Sequence, residues 1–181
     1  MDDDSPGEPG KLRVLLVGHP EMVSRGLRDA LTAAGDIRMV ADLSSCRSLS
    51  RLWAGLGPDV GVMSMARSGL GRTDITLATV RSITTSDPGA RIILMLDEDA
   101  PIDLILDAIN SGALGLLTQS VSAEALRRAV HQVGAGHPTV CAPAAWTALQ
   151  TTPIALANEK SLGAAVTNQP TSFTTEQRRL A

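Results

Sequence analysis

The stretch Leu12-Arg13-Val14-Leu15-Leu16-Val17-Gly18-His19-Pro20-Glu21-Met22-Val23 decides how the rest of this chain is read. It opens with an aliphatic run of strand length, breaks at a glycine and a proline, and passes into a helical pattern. Met22, Val23, Gly26, Leu27, Ala30, Leu31 and Ala34 then recur at the spacing of one buried helical stripe. Gly35-Asp36 closes that helix with a residue tolerant of positive φ.

The same strand, break and helix unit recurs downstream. Further candidate strands are 38–41, 60–63, 92–96 and 115–118, and helical stretches begin near Met22, Cys46, Thr73, Ile102 and Ser122. Short β-rich runs alternating with helices require crossover connections, hence a parallel sheet covered on both faces. The expected architecture is α/β: a (βα)5 doubly wound five-stranded parallel sheet. Ser122 is a good N-cap with Glu124 in the first turn, and Leu126, Ala129, Val130 and Val133 form the last buried stripe. In the fourth helix Ile102, Ile105, Leu106 and Ile109 form the expected core stripe, which places Leu104 close to the opposite face.

Composition narrows the function classes. The chain has 181 residues, 44% hydrophobic and 19% charged, enough to bury a core in one domain with tails. Its net charge of −3 hides an asymmetry: Asp2, Asp3, Asp4 and Glu8 give residues 1–10 a charge of −4, so the remainder carries +1. Residues 1–10 are expected to be an acidic disordered tail. A surface for DNA would show clustered Lys and Arg, and the largest clusters are the pairs Arg127-Arg128 and Arg178-Arg179. Cys46 and Cys141 lie far apart and outside any Cys-x-x-Cys pair, which argues against a zinc site or a disulfide framework. The acidic N-terminus does not read as a secretory signal, and no apolar run approaches the ~20 residues needed to span a bilayer. The chain is expected to be cytoplasmic, with no membrane partner.

Open parallel sheets bind ligands outside the carboxyl ends of their strands, where the strand order reverses. Here those ends are Gly18-His19, Ser64, Leu96-Asp97 and Thr118-Gln119. A hydrolase triad of His19, Ser64 and Asp97 would need a nucleophile elbow, and Val-Met-Ser-Met-Ala has none. A flavin or dinucleotide site would need a glycine-rich loop, and Gly18 is followed directly by His19-Pro20-Glu21. Neither an enzyme nor a cofactor protein is expected.

Several segments together carry a family resemblance. They are Arg13-Val14-Leu15-Leu16-Val17, Gly26-Leu27-Arg28 with Ala30-Leu31, Pro58-Asp59-Val60-Gly61-Val62-Met63, Asp87-Pro88-Gly89-Ala90-Arg91-Ile92, Ser111-Gly112-Ala113-Leu114-Gly115-Leu116-Leu117, and Ser122-Ala123-Glu124-Ala125-Leu126. In this order and spacing, residues 11–140 resemble the receiver domain of a bacterial response regulator, the flavodoxin/CheY-like fold. The likeness is greatest to the NarL/FixJ family, which carries a LuxR-type DNA-binding domain.

That resemblance implies a phosphorylation pocket whose chemical groups this chain lacks. The two metal-holding acids correspond to Gly18 and His19, and the phosphate-accepting aspartate to Ser64. The phosphoryl-sensing Thr or Ser falls at Leu96, or at Asp97 if one residue is inserted upstream. The lysine falls at Gln119 and the switch aromatic at Leu116. The expectation is a pseudo-receiver that binds no metal or other cofactor and acts by dimerisation, ligand or partner binding.

A homodimer is expected through the first and last helices, or through the face of the fourth helix, fifth strand and fifth helix, where Leu104, Leu116 and Arg127 would lie. Residues 11–136 form the expected domain, and 137–172 a linker with an extra helix near Trp146. Residues 173–181, Phe-Thr-Thr-Glu-Gln-Arg-Arg-Leu-Ala, are similar to the start of a LuxR-type helix-turn-helix domain, so DNA would be reached only through an attached C-terminal domain. A stand-alone interaction module and a small-molecule-sensing domain are the alternatives.

Overall fold

The computed structural model describes residues 10–65 and 72–141. Residues 1–9 of the acidic tail, residues 142–172 of the linker with the helix expected near Trp146, and the segment 173–181 lie outside the described residues. The element order is β1 (Leu12–Val17), α1 (Glu21–Thr32), β2 (Ile37–Leu43), α2 (Leu49–Leu56), β3 (Val60–Ser64), α3 (Arg72–Ser86), β4 (Ile92–Leu96), α4 (Ile102–Asn110), β5 (Gly115–Thr118), α5 (Ala123–Gly134) and β6 (Thr139–Cys141). The sheet is parallel with the order β2-β1-β3-β4-β5-β6. The order reverses between β1 and β3, which puts the switch point at Gly18 and Ser64.

The parallel α/β architecture agrees with the sequence, but among the described residues the sheet has six strands and not five. Thr139-Val140-Cys141 pairs with Gly115-Leu116-Leu117 in register and extends the sheet past residue 136. A three-residue strand is too short to leave a periodic signal.

Helices cover both faces because the inner strands are apolar on both. Leu15, Val17, Met63, Leu94, Leu96 and Leu116 face Leu49 and Trp53 of α2, Leu77, Val80 and Ile83 of α3, and Ile105 and Ala108 of α4. Val14, Leu16, Val62, Ile93, Met95 and Leu117 face Leu31 of α1 and Leu126, Ala129, Val130 and Val133 of α5. Gly61 is a packing requirement: a Cβ there would lie 2.9 Å from Cζ3 of Trp53, so the missing side chain admits the indole to the sheet. The indole N–H donates to Asp87 Oδ2 at 3.2 Å, giving the half-wet edge of the ring a partner.

Two helices turn differently from their sequence stripes. In α1, Ser24 and Leu31 are buried while Met22 is 88% and Val23 41% exposed. Met22 and Val23 face solvent, while the Ser24 hydroxyl in the same turn is drawn inward and donates to Asp42 of β2. In α4, Ile105 and Ala108 are buried, Leu104 packs against the core, and Ile102 is 48% exposed at the helix start. The expected outward position of Leu104 is therefore corrected, and Ile102 is the exposed side chain. In α5 the reading holds: Ser122 Oγ accepts from the Ala125 N–H at 3.2 Å, and the four expected stripe residues are buried.

Candidate functional site

The carboxyl edge of the sheet gathers Gly18, His19, Ser64, Leu96, Asp97 and Gln119. Gly18 ends β1 with φ of +75°, a conformation glycine adopts without strain. Its N–H donates to the Leu43 carbonyl at 2.7 Å, tying the ends of β1 and β2 together. A Cβ on Gly18 would point at Ser64, 3.7 Å from its carbonyl oxygen and 3.9 Å from its Cβ. The structure therefore brings together the two positions that the resemblance pairs, one with no side chain and the other with a hydroxymethyl group.

His19 does not project into a metal site. It is 7% exposed, and its Nε2–H donates to the Val62 carbonyl at 3.3 Å, leaving Nδ1 unprotonated in the neutral ring. Burial pushes the imidazole below the usual histidine value, against the opposing pull of the Val62 carbonyl and the Asp42 charge. With Nε2 engaged by a backbone carbonyl, the ring is a neutral wedge at the strand end. Asp42, which the sequence reading did not single out, is held by Ser24 and by Arg28 Nη2 at 2.9 Å. Its signal was a long-range polar pairing that no local spacing encodes.

On the other side of the switch point, Gln119 Nε2 donates to Asp97 Oδ1 at 2.9 Å. The Gln119 N–H also donates to the Leu96 carbonyl at 3.0 Å, so β4 and β5 are joined by side chain and backbone at their ends. Leu96 and Leu116 are 1% and 2% exposed and belong to the core facing α2, α3 and α4. Among the described residues, no group of three or more His, Cys, Asp and Glu side chains is placed to hold a metal ion.

The expected association face of Leu104, Leu116 and Arg127 is corrected. Leu116 is buried because β5 is an interior strand, flanked by β4 and β6. Arg127 turns to the other side of α5, with Nη2 3.5 Å from Asp36 Oδ2 in the turn between α1 and β2. His131, one helical turn on, puts its Nε2 2.9 Å from the same oxygen. Desolvation raises the Asp36 carboxyl, but its own backbone amide, His131 and Arg127 outweigh it and leave the group below the ordinary carboxylate value. These residues stitch α5 to α1 and do not form a face with α4.

No family model matches the chain. It is 30% identical over 127 residues to the transcriptional regulatory protein LiaR of Bacillus subtilis, covering 70% of this chain and 58% of LiaR. It is 29% identical over 169 residues to the DNA-binding transcriptional activator DevR/DosR of Mycobacterium tuberculosis, covering 93% of this chain and 71% of that protein. The crystal structure of a LuxR-family two-component response regulator from Aurantimonas sp. SI85-9A1 superposes with a TM-score of 0.65 at 24% identity, covering 77% of this chain and 96% of that one. The chain thus spans little more than half the length of LiaR, while the match to DevR/DosR continues beyond Cys141. Among the described residues, no helix is long and apolar enough to cross a membrane.

Proposed function

We propose, for a chain whose homologues are response regulators of the NarL/LuxR family and whose fold is that of their receiver domains, a regulatory domain that works without phosphorylation. The observation that carries this reading is the Asp97–Gln119 hydrogen bond at the pocket edge. An amide here donates to the carboxylate where the resemblance would put a cation beside a phosphoryl group. Magnesium is held by hard oxygen ligands, carboxylates above all. Gly18 and His19 supply no carboxylate, and Ser64 supplies only an alcohol. A phosphoserine ester is also far less reactive than an acyl phosphate, so it would not provide the same readily reversed switch.

In this reading the domain controls an attached DNA-binding domain through self-association or contact with a partner. The burial of His19 and Leu96 supports association over ligand binding, because the chain's own side chains take up space at the strand ends. A domain whose states differ by a few kcal/mol needs only a partner with unequal affinity for them. The test is intact-mass measurement after incubation with acetyl phosphate and magnesium. No phosphate-sized adduct is expected, and one that disappears in Ser64→Ala would overturn the proposal.

A further inference from the structure

The sixth strand changes where the chain leaves the domain. After α5 the backbone turns at Gly136, with φ of +85°, at the amino edge of the sheet. It is caught there by two bonds: the Thr139 N–H donates to the Leu114 carbonyl at 3.0 Å, and Thr139 Oγ1 donates to Gln132 Oε1 at 3.3 Å. Because β6 runs parallel to β5, it carries the chain back across the sheet to the carboxyl edge. Cys141 is opposite Leu117, two residues before Gln119. From strand spacing and rise, that places the Cys141 backbone on the order of 8 Å from Gln119. A sheet ending at β5 would release the chain from the opposite edge.

Two features make β6 a responsive element. Among the described residues it is an edge strand of three residues paired only to β5, the kind of segment that opens at low free-energy cost. Its one neighbour in the sheet is held at the carboxyl edge to β4 by the Gln119 backbone bond to Leu96 and by the Asp97–Gln119 side-chain bond. The side-chain bond is the part that substitution or a competing partner can remove while leaving the ladder in place.

We propose that β6 is the output element of this domain, and that the Asp97–Gln119 bond controls how firmly it stays paired. Breaking the bond loosens the end of β5, β6 detaches, and the departing chain is released from the edge where the site lies. The inference rests on the phosphate-independent reading above, since it gives to a hydrogen bond the role of joining β4 to β5.

Hydrogen exchange on the whole 181-residue chain tests it. In Gln119→Leu and Asp97→Ala, exchange in residues 137–141 should rise about threefold or more, while β1 and β3 keep wild-type rates. Asp97→Asn, which keeps an acceptor oxygen, should behave as wild type. Unchanged exchange in 137–141 overturns the inference, as does a rise shared equally by β1 and β3. Should Gln119→Leu not fold, Gln119→Asn, one methylene shorter and still polar, gives the same readout. An acetyl phosphate adduct on the same samples would sink the phosphate-independent reading and leave the β6 measurement standing.

Discussion

The His19 ring donates from Nε2 to the Val62 carbonyl at 3.3 Å and is held neutral by burial where the resemblance would place a metal-binding acid. The consequence is a defined pH dependence. A histidine pushed below its usual 6.5 makes the unfolded chain bind more protons as the medium acidifies. Its stabilising contribution is complete above pH 6.5 and is lost as the pH falls through the depressed folded value. Urea midpoints of the wild type should decline as the pH falls below 6.5, and His19→Gln should flatten that part of the curve. Parallel curves for the two proteins would refute the assignment.

The Asp36 carboxyl shifts in the opposite chemical sense, from a charged state favoured by His131 and Arg127. Its contribution is present above its ordinary value of 3.8 and fades as the pH falls through the lower folded value. Asp36→Asn should lower the melting temperature at pH 7, and the difference from the wild type should shrink as the pH falls below 3.8. High salt should narrow the difference at pH 7, since these groups are partly exposed. A variant that melts with the wild type at pH 7 would show that the α1–α5 stitching contributes nothing.

Gly61→Ala should destabilise the domain by roughly 1–3 kcal/mol, the range for overpacking a core. The cause is the 2.9 Å approach that a Cβ would make to the Trp53 ring. Pairing it with Trp53→Leu should make the two effects less than additive, because the smaller side chain removes the collision. Denaturant melts followed by circular dichroism measure all three proteins, and strict additivity would mean that the ring is not what Gly61 accommodates.

Ser122→Ala should cost about 1 kcal/mol through loss of the cap on α5. Thermal melts followed by circular dichroism give the value, and Ser122→Asp should retain most of the stability because its carboxylate accepts the same N–H. Loss in both variants would assign the effect to something other than the cap.

The fold was legible where burial is one-dimensional. Fully buried parallel strands read as unbroken apolar runs, so 12–17, 60–63, 92–96 and 115–118 stood out. The helix stripes were legible only to within a rotation. In α1 Leu31 faces inward as its stripe requires, but so does Ser24, drawn there by a carboxylate 18 positions away. In α4 the helix is rotated so that Ile105 and Ala108 face the core while Ile102 is left half exposed at the helix start. β6 escaped notice because three residues carry no period.

The site was legible as a set of positions and not as a set of bonds. Gly18, Ser64, Leu96, Asp97 and Gln119 could be named from the strand ends, but the Asp97–Gln119 bond depends on the register of β4 against β5. The inward turn of His19 depends on Val62 presenting a carbonyl to it. Leu116 was misplaced for a related reason: with β6 beside it, β5 has no open edge.

A receiver fold without a working phosphoryl site should not bind a phosphoryl mimic, and fluorine NMR of the whole chain with magnesium and beryllofluoride reads out that binding. Only the resonances of free fluoroberyllate species should appear, unchanged by the protein at any concentration. A magnesium-dependent bound resonance that vanishes when Ser64 is replaced by alanine would contradict the account.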